Sequence, residues 1–231
     1  MPRPVFVTGT DTCVGKTVVC AWLVNQFKLD YWKPVQCGDL DNTDTMQVAA
    51  LSGYNGSDNQ FRIHPETYKF RHPLSPHLAS QKEGIDIDLA SIAMPVTANR
   101  LIIEGAGGVL VPLNKQHTMV DLIKRFNALV LVVSRGTLGT INHTCLTLEA
   151  LRLRKLTVSG VIISGITSQE NKQAIEYFGR TRVLAELPYI QPLSAETLGQ
   201  YGAGDHLLRA VYSPDFNFKE RTLKPMQQER T

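Results

Sequence analysis

Residues 7–17 read VTGTDTCVGKT, and the interpretation of the whole chain starts from this stretch. Phosphate-binding loops commonly follow the pattern G-x-x-x-x-G-K-[ST], whereas here five residues separate Gly9 from Gly15. An aliphatic run precedes the glycines and a helix-like segment follows them, which is the setting that such a loop requires. Because glycines let the backbone turn, successive N–H groups and the helix start can face an anion. We therefore predict a widened phosphate-binding loop in which Lys16 reaches the outer phosphates and Thr17 supplies a hydroxyl to Mg²⁺.

Composition places the chain among ordinary globular proteins. Of its 231 residues, 43% are hydrophobic and 19% charged, which suits one domain with a full core. We expect a single domain over residues 1–212 and a polar, loosely ordered tail over 213–231. The net charge of +3 comes without a cluster of basic residues, which argues against a nucleic-acid partner. We recognise neither a signal peptide nor a membrane span, so we expect a cytoplasmic protein without membrane contact.

Cysteines and histidines show no metal-ligand spacing, so a structural zinc site is not expected. Cys13 and Cys37 nevertheless lie in loops that we expect at one edge of the fold. Lys16 and a helix N-terminus nearby would lower the pKa of a thiol. We therefore hypothesise that these two cysteines approach each other and make the protein sensitive to oxidation.

Apolar runs alternate with helix-period segments along the chain. The pattern predicts strands at 5–8, 31–35, 101–104, 129–133 and 158–164, helices at 16–27, 45–51 and 142–152, and mostly loop at 53–85. Continuous aliphatic strands between helices indicate an α/β fold, with a mostly parallel central sheet covered by helices on both faces. Ligands bind such a sheet at the carboxyl ends of its strands. The loops VTGT (7–10), KPVQCG (33–38), EGAGG (104–108) and SRGTLGT (134–140) are expected to converge there.

Asp44 and Glu104 are the best acidic candidates for holding Mg²⁺, which prefers hard oxygen ligands. Glu104 ends a predicted buried strand, where an unpaired carboxylate is unfavourable and a cation or hydrogen-bonding partner is expected. A solvated acid at a strand end remains an alternative for Glu104. For Asp44, an acidic residue in the first turn of a helix is an equally natural interpretation.

These segments together resemble the dethiobiotin synthetase family, ATP-dependent carboxylases of biotin synthesis with a P-loop NTPase fold. The likeness extends roughly from Val5 to Tyr201. Its motifs are GTDTxVGKT at 9–17, KPVxxG at 33–38, the acid at 44, SPH at 75–77, EGAGG at 104–108 and GTINH at 139–143. The five-residue gap in the first motif is a feature of that family, which accounts for the unusual loop.

The resemblance implies a reaction, its cofactors and an assembly. An amine of 7,8-diaminononanoate takes up CO₂ as a carbamate, and the γ-phosphate of ATP is transferred to a carbamate oxygen. The second amine then attacks the resulting carbamic–phosphoric anhydride and closes the ring of dethiobiotin. ATP and Mg²⁺ are the implied cofactors. The implied quaternary structure is a homodimer with the active site at the subunit interface.

The resemblance also implies site residues. The implied catalytic residues are Thr12, Lys16 and Lys33, of which Lys33 would stabilise the carbamate. The implied nucleotide-binding residues are Cys13, Val14, Gly15, Lys16, Thr17, Val18, Asp44, Glu104, Gly105, Ala106, Gly107, Ser164, Gly165, Pro188, Tyr189 and Ile190. The metal ligands among them are Thr17, Asp44 and Glu104. The implied substrate-binding residues are Cys37, Gly107, Gly108, Thr140, Ile141 and Asn142, the last three at a helix start supplied by the second subunit.

Three positions depart from the family pattern. Cys13 stands where some members carry glutamate, and Cys37 where a serine or threonine contacts the substrate. Because a thiol is a weak hydrogen-bonding group, both changes affect the expected rate and affinity. Ser164 stands where an asparagine often reads the adenine edge. A serine cannot present both a carbonyl and an amide, so we predict a weaker preference for ATP over other nucleoside triphosphates.

Three alternatives remain at this point. Another ATP-dependent amide-forming ligase would usually carry a glutamine-hydrolysing domain, for which this chain is too short. A nucleotide switch like the chromosome-partitioning ATPases would have a signature lysine where residues 10–12 read TDT. A degenerate, inactive relative is suggested by Cys13 and Cys37.

Overall fold

The computed structural model describes residues 3–56 and 60–213. The strands are β1 (Val5–Gly9), β2 (Asp30–Trp32), β3 (Val35–Cys37), β4 (Ile63–His64), β5 (Tyr68–Phe70), β6 (Leu101–Gly108), β7 (Leu129–Arg135), β8 (Val158–Ser164) and β9 (Val183–Leu187). The helices are α1 (Lys16–Phe27), α2 (Asp44–Ser52), α3 (Pro76–Lys82), α4 (Met119–Arg125), α5 (Thr140–Leu153), α6 (Gln169–Gly179), α7 (Ala195–Gln200) and α8 (Asp205–Tyr212). The predicted tail lies outside the described residues from 214 onwards.

A seven-stranded sheet organises the fold, in the order β4-β2-β6-β1-β7-β8-β9. Every neighbouring pair in it is parallel, which confirms the predicted α/β class. Alternate strand residues enter two different apolar cores, because successive side chains of a strand point to opposite faces. One core joins Phe6 and Ile103 to residues of α3–α6, and the other joins Val7 and Ile102 to α1, α2, α7 and α8. Helices therefore cover both faces of the sheet.

The strand predicted at 31–35 is wrong as a single element. The chain leaves the large sheet after Trp32 and re-forms as β3, which pairs with β5 in a separate two-stranded sheet. Pro34 lies at the break and has no N–H to donate to a ladder, which explains why the strand ends there. Lys33 therefore lies in the short connection between two strands.

Other predicted boundaries hold within one or two residues, except that of β6. Strand β6 continues to Gly108, so Glu104 lies inside a strand and not at its end. Helix α5 begins two residues before the predicted start. The elements α4, α6, α7, α8 and β9 were not predicted, while 53–85 contains the short elements β4, β5 and α3. In the described part of the chain, no helix is long and apolar enough to cross a membrane.

Candidate active site

The candidate site lies at the carboxyl edge of the seven-stranded sheet. Gly9 at the end of β1 is in register with Gly108 of β6, and the N–H of Thr10 donates to the carbonyl of Val133 in β7. The first loop, the glycine segment of β6 and the loop after β7 therefore meet at one edge. Lys33 joins them directly, because its side chain contacts Glu104 of β6. The predicted convergence of four loops is confirmed.

The loop between β1 and α1 is shaped to leave room for an anion. Gly15 has φ +93°, and a Cβ placed on it would lie 2.3 Å from the Oγ of Ser164. A Cβ on Gly9 would lie 2.8 Å from a methyl carbon of Val14 and 3.2 Å from the Nζ of Lys16. Side chains are therefore excluded from both positions, and the Lys16 ammonium lies over the loop. A loop backbone without side chains at these two positions, next to the N-terminus of α1, has the features of a phosphate-binding site.

Four polar side chains from different elements converge beside this loop. The Nζ of Lys33 lies 2.5 Å from Asp44 Oδ2 and 3.3 Å from Glu104 Oε1. The hydroxyl of Thr17 lies 3.1 Å from Asp44 Oδ1 and 3.0 Å from Glu104 Oε1. Lys33 is 4% exposed and Glu104 only 1% exposed. The sequence predicted that burial of the Glu104 carboxylate would be unfavourable without a partner. The buried Lys33 ammonium, which bridges this carboxylate and that of Asp44, is that partner.

The protonation of this cluster follows from its charges. Burial alone would lower the pKa of Lys33, but Glu104 and Asp44 together raise it above its usual range. Burial would raise the pKa of Asp44, yet Lys33 and the Thr17 hydroxyl hold it below its ordinary value. Burial lowers the pKa of Lys16, which Glu104 only partly offsets. The site therefore holds a charged Lys33 beside an ionised Asp44.

The donor set fits a magnesium ion. One hydroxyl and two carboxylates supply hard oxygens, and Mg²⁺ usually keeps several waters and binds substrate phosphates as well. Thr17, Asp44 and Glu104 offer these groups within hydrogen-bonding distance of one another. Within residues 3–56 and 60–213 no group of three or more His, Cys, Asp or Glu residues forms a candidate metal centre. A mixed set of one hydroxyl and two carboxylates would therefore leave positions for waters and substrate phosphates.

The glycine segment of β6 comes close to the phosphate-binding loop. Gly107 has φ +68°, and a Cβ on it would approach the methyl carbon of Thr12 to 3.7 Å. A Cβ on Gly105 would lie 2.6 Å from the Phe6 ring, so a side chain has no room there. Gly108 similarly lies beside the carbonyl of Gly9. Thr12 and Gly107 are brought together as the sequence predicted, with Ala106 half-buried between the neighbouring glycines.

A second group of predicted residues meets where β8 and β9 end. The N–H of Gly165 donates to the carbonyl of Leu187, which positions residues 188–190 beside Ser164. The ring of Tyr189 lies against Gly165, since a Cβ there would come within 3.0 Å of it. Tyr189 is 72% exposed, while Pro188 and Ile190 are half-buried. This exposed aromatic ring, two residues beyond the end of β9, is suited to contact a planar base.

The start of α5 is linked to the phosphate-binding loop through Arg135. Its guanidinium donates to Asp11 Oδ2 at 3.0 Å and to the carbonyl of Thr12 at 3.4 Å. Helix α5 begins at Thr140 after Gly139, which has φ +91° and no side chain to cap the helix. The first N–H groups of a helix have no intrahelical acceptor, so this end can bind an anion. Ile141 is half-buried and Asn142 exposed.

The lowered thiol pKa on which the cysteine hypothesis rested is wrong for Cys37. Burial raises the pKa of its thiol to about 11, and the nearby Lys33 only partly opposes this. Cys13 is exposed with φ +53° in the loop, and both cysteines are free thiols. Cys37 therefore behaves as a protonated, half-buried side chain, although it does lie beside the candidate site as expected.

Two contacts of Glu104 were missed by sequence reasoning. The Tyr31 hydroxyl donates to Glu104 Oε2 at 2.9 Å, and burial together with the neighbouring Glu104 carboxyl raises the pKa of the Cys20 thiol. Tyr31 and Cys20 are fully buried. The available signal was the spacing of Tyr31 and Lys33, which puts both on one face of an extended segment. That spacing indicates a contact with Glu104 only once the pairing of β2 with β6 is known.

The fold and the loop define the class of protein: a P-loop NTPase. A family model described as an AAA domain matches residues 3–197. A plasmid partition protein from Borrelia burgdorferi bound to AMPPNP superposes with a TM-score of 0.56 at 12% identity, covering 90% of this chain and 97% of its own. The septum site-determining protein MinD from Pyrococcus horikoshii, complexed with Mg-ADP, superposes with a TM-score of 0.54 at 12% identity, covering 92% and 95%. At such low identity these structures show the fold alone.

Sequence relatives identify the particular family. The ATP-dependent dethiobiotin synthetase of Paramagnetospirillum magneticum is 50% identical over 195 residues, covering 84% of this chain and 91% of the relative. The enzyme of the same name from Rhodopseudomonas palustris (strain HaA2) is 41% identical over 217 residues, covering 94% and 95%. The chain belongs to the dethiobiotin synthetase family, as the sequence motifs indicated, and is an enzyme of the ligase class that forms C–N bonds.

Proposed function

We propose that this enzyme carboxylates 7,8-diaminononanoate with CO₂ and closes the cyclic urea of dethiobiotin at the expense of ATP. The observation that carries the proposal is the convergence of Lys16, Lys33, Thr17, Asp44 and Glu104 at one sheet edge. Phosphoryl transfer depends mainly on positioning and on neutralising charge, and this cluster supplies both. The named relatives support the choice of substrate.

The protein side chains have separate parts in this reaction. Lys16 and the bared backbone of the loop hold the β- and γ-phosphates, with Thr12 beside the γ-phosphate. The ammonium of Lys33 stabilises the carbamate oxygen that receives the phosphoryl group. The second amine then attacks the carbamic–phosphoric anhydride, phosphate leaves, and the ring closes.

Mg²⁺ and the nucleotide base complete the proposed nucleotide site. Thr17, Asp44 and Glu104 hold the metal, which neutralises phosphate charge when bound. The ring of Tyr189, together with Ser164 and Gly165, contacts the base, while Pro188 and Ile190 flank it. Val14 and Val18 pack the loop and the first turn of α1 against the domain.

The diamine is proposed to bind between two subunits. Cys37, Gly107 and Gly108 line the side next to Lys33, and the start of α5 from a second copy receives the substrate carboxylate. Leu138 is fully exposed just before this helix, and Leu146 on α5 is 57% exposed. Burial of these apolar side chains in a homodimer would be favourable. We also propose a cytoplasmic location, because free thiols suit a reducing compartment.

The direct test is release of ADP by the purified protein with 7,8-diaminononanoate, bicarbonate, Mg²⁺ and ATP, omitting each component in turn. We expect release only when all four are present, and dethiobiotin as the product by mass spectrometry. Release that does not need the diamine would favour a nucleotide switch or a different ligase. Binding of ATP without turnover would favour the inactive relative, and Cys13 and Cys37 would then be the first residues to replace.

Mixing two inactive variants tests the shared site. Lys33→Met removes the carbamate-binding ammonium of one subunit, and Asn142→Asp puts a negative charge where the partner's substrate carboxylate would bind. If the site is shared, a mixed dimer contains one intact site and the mixture regains up to about a quarter of the wild-type rate. A mixture as inactive as its components would contradict the interface arrangement. Asn142→Ser is the matched control, since it keeps a neutral polar side chain.

A further inference from the structure

The carboxylate of Glu104 has two oxygens with different surroundings. Oε1 faces the Thr17 hydroxyl at 3.0 Å and the Lys33 ammonium at 3.3 Å. Oε2 accepts a hydrogen bond from the Tyr31 hydroxyl at 2.9 Å. One oxygen therefore faces the proposed metal and phosphate side, and the other faces the interior of the protein.

The Tyr31 hydroxyl is held rigidly by the sheet. Tyr31 is in register with Ile102 on the neighbouring strand β6, so its side chain lies on the same face as Glu104, two residues further along. The ring is completely buried in the core formed with α1. A tyrosine held in this way cannot turn to another acceptor without disturbing that core. The Cys20 thiol also contacts this carboxyl group, but a thiol is a much weaker donor.

We infer that Tyr31 is a positioning residue that holds Glu104 as a one-oxygen ligand and thereby makes the site prefer Mg²⁺ to Ca²⁺; this inference rests on the proposed function. Mg²⁺ requires a compact octahedron of six ligands. Ca²⁺ is larger, accepts six to eight oxygens and often takes both oxygens of a carboxylate. While the Tyr31 hydroxyl occupies Oε2, Glu104 offers the metal only Oε1. Removing the hydroxyl frees Oε2 for a two-oxygen contact that suits Ca²⁺.

The test compares metal competition in the wild type, Tyr31→Phe and Tyr212→Phe. Tyr212 is the matched control, because its hydroxyl is part-buried and donates to the carbonyl of Leu101, away from the carboxylates. Mn²⁺ bound to each full-length protein with a non-hydrolysable ATP analogue is followed by electron paramagnetic resonance. Mg²⁺ and Ca²⁺ are then titrated separately as competitors, and the ratio of their half-displacing concentrations is the readout.

We expect Tyr31→Phe to shift this ratio about tenfold in favour of Ca²⁺, and Tyr212→Phe to keep the wild-type ratio. A general loss of packing would weaken both metals together and leave the ratio unchanged. An unchanged ratio in folded Tyr31→Phe therefore overturns the inference while leaving the proposed function intact. Absence of analogue-dependent Mn²⁺ binding by the wild type would overturn the inference together with the proposed function.

A second measurement needs no substitution at Tyr31. The infrared difference spectrum of the wild-type protein on adding Mg²⁺ in the presence of the analogue reports how carboxylates bind the metal. We expect the widely separated antisymmetric and symmetric stretches of a one-oxygen ligand, in bands that Glu104→Gln removes. The narrow separation of a two-oxygen ligand in those bands would overturn the inference.

Discussion

The Nζ of Lys33 lies 2.5 Å from Asp44 Oδ2 and 3.3 Å from Glu104 Oε1, so one ammonium bridges the two carboxylates proposed to hold Mg²⁺. Lys33 therefore occupies, in the protein alone, part of the position where a cation is expected. Entry of the metal would draw the carboxylates away from Lys33 and release its ammonium towards the carbamate. Metal binding would then be coupled to the release of the Lys33 ammonium from the carboxylates.

Replacement of Lys33 by Met should tighten metal binding. In this variant no ammonium competes with Mn²⁺ for Asp44 and Glu104. We therefore expect the dissociation constant of Mn²⁺ in the absence of nucleotide to fall by about tenfold or more. Paramagnetic resonance of free Mn²⁺ measures this constant. Lys69→Met is the matched control, because the Lys69 side chain is exposed and its Nζ forms only a long ion pair, 3.9 Å from Glu66 Oε2. Equal or weaker binding by the Lys33 variant would contradict the competition.

The same Lys33 variant should be unstable without metal. Removing one partner of a buried ion pair leaves uncompensated carboxylates and costs roughly 3–5 kcal/mol. Thermal unfolding in a chelator should therefore occur at a lower temperature than in the wild type, with most of the difference recovered on adding Mn²⁺. A variant as stable as the wild type in chelator would show that water already solvates these carboxylates.

Comparing Gly15→Ala with Gly84→Ala separates the cost of backbone strain from the cost of steric crowding. Gly15 at φ +93° would place a Cβ 2.3 Å from the Ser164 hydroxyl, whereas Gly84 at φ +65° has open space around such a Cβ. We expect Gly84→Ala to lose about 1 kcal/mol of stability from its backbone conformation alone. Gly15→Ala should lose clearly more and also bind an ATP analogue at least about tenfold more weakly. Denaturant unfolding and calorimetry measure the two effects, and equal losses from both variants would exclude a role for crowding.

Ser164 should make the enzyme tolerant of different nucleotides. Its short side chain lies against Gly15 and offers only one hydroxyl to a base. We expect kcat/KM values for ATP, CTP and GTP within about tenfold of one another, and a Ser164→Asn variant to regain discrimination for ATP. Steady-state release of the nucleoside diphosphate (ADP, CDP or GDP) tests this. A hundredfold preference of the wild type for ATP would refute the prediction.

Alkylation should reveal the raised pKa of Cys37. A thiol with a pKa of about 11 has little thiolate at pH 8, so the iodoacetamide rate at Cys37 should rise about tenfold per pH unit between pH 7 and 10. Peptide mass spectrometry follows each cysteine separately, and Cys13, which is exposed, should react first. The fully unfolded protein is the control for intrinsic reactivity. Fast reaction of Cys37 at pH 7 would restore the hypothesis of an activated thiol.

Local patterns in the sequence were sufficient for much of the fold and for the phosphate-binding loop. The loop from Gly9 to Thr17 carries its own conformational requirements, because glycines, a lysine and a helix start lie next to one another in the chain. Helix α1 was predicted at its observed bounds for the same reason. Pro34 was visible too, but its consequence, a strand that ends at Trp32 and restarts in another sheet, depended on where β3 finds a partner.

The sequence by itself determined the class of loop and the parallel α/β architecture, since each depends on side chains close together along the chain; its family motifs supplied the proposed site residues. Only the tertiary structure decided that Lys33 bridges Asp44 and Glu104, and that Tyr31 holds the far oxygen of Glu104. Both contacts depend on β2 lying beside β6 with Asp30 opposite Leu101. That register joins residues about seventy positions apart, and it is selected by the packing of the whole sheet against its helices rather than by any local pattern.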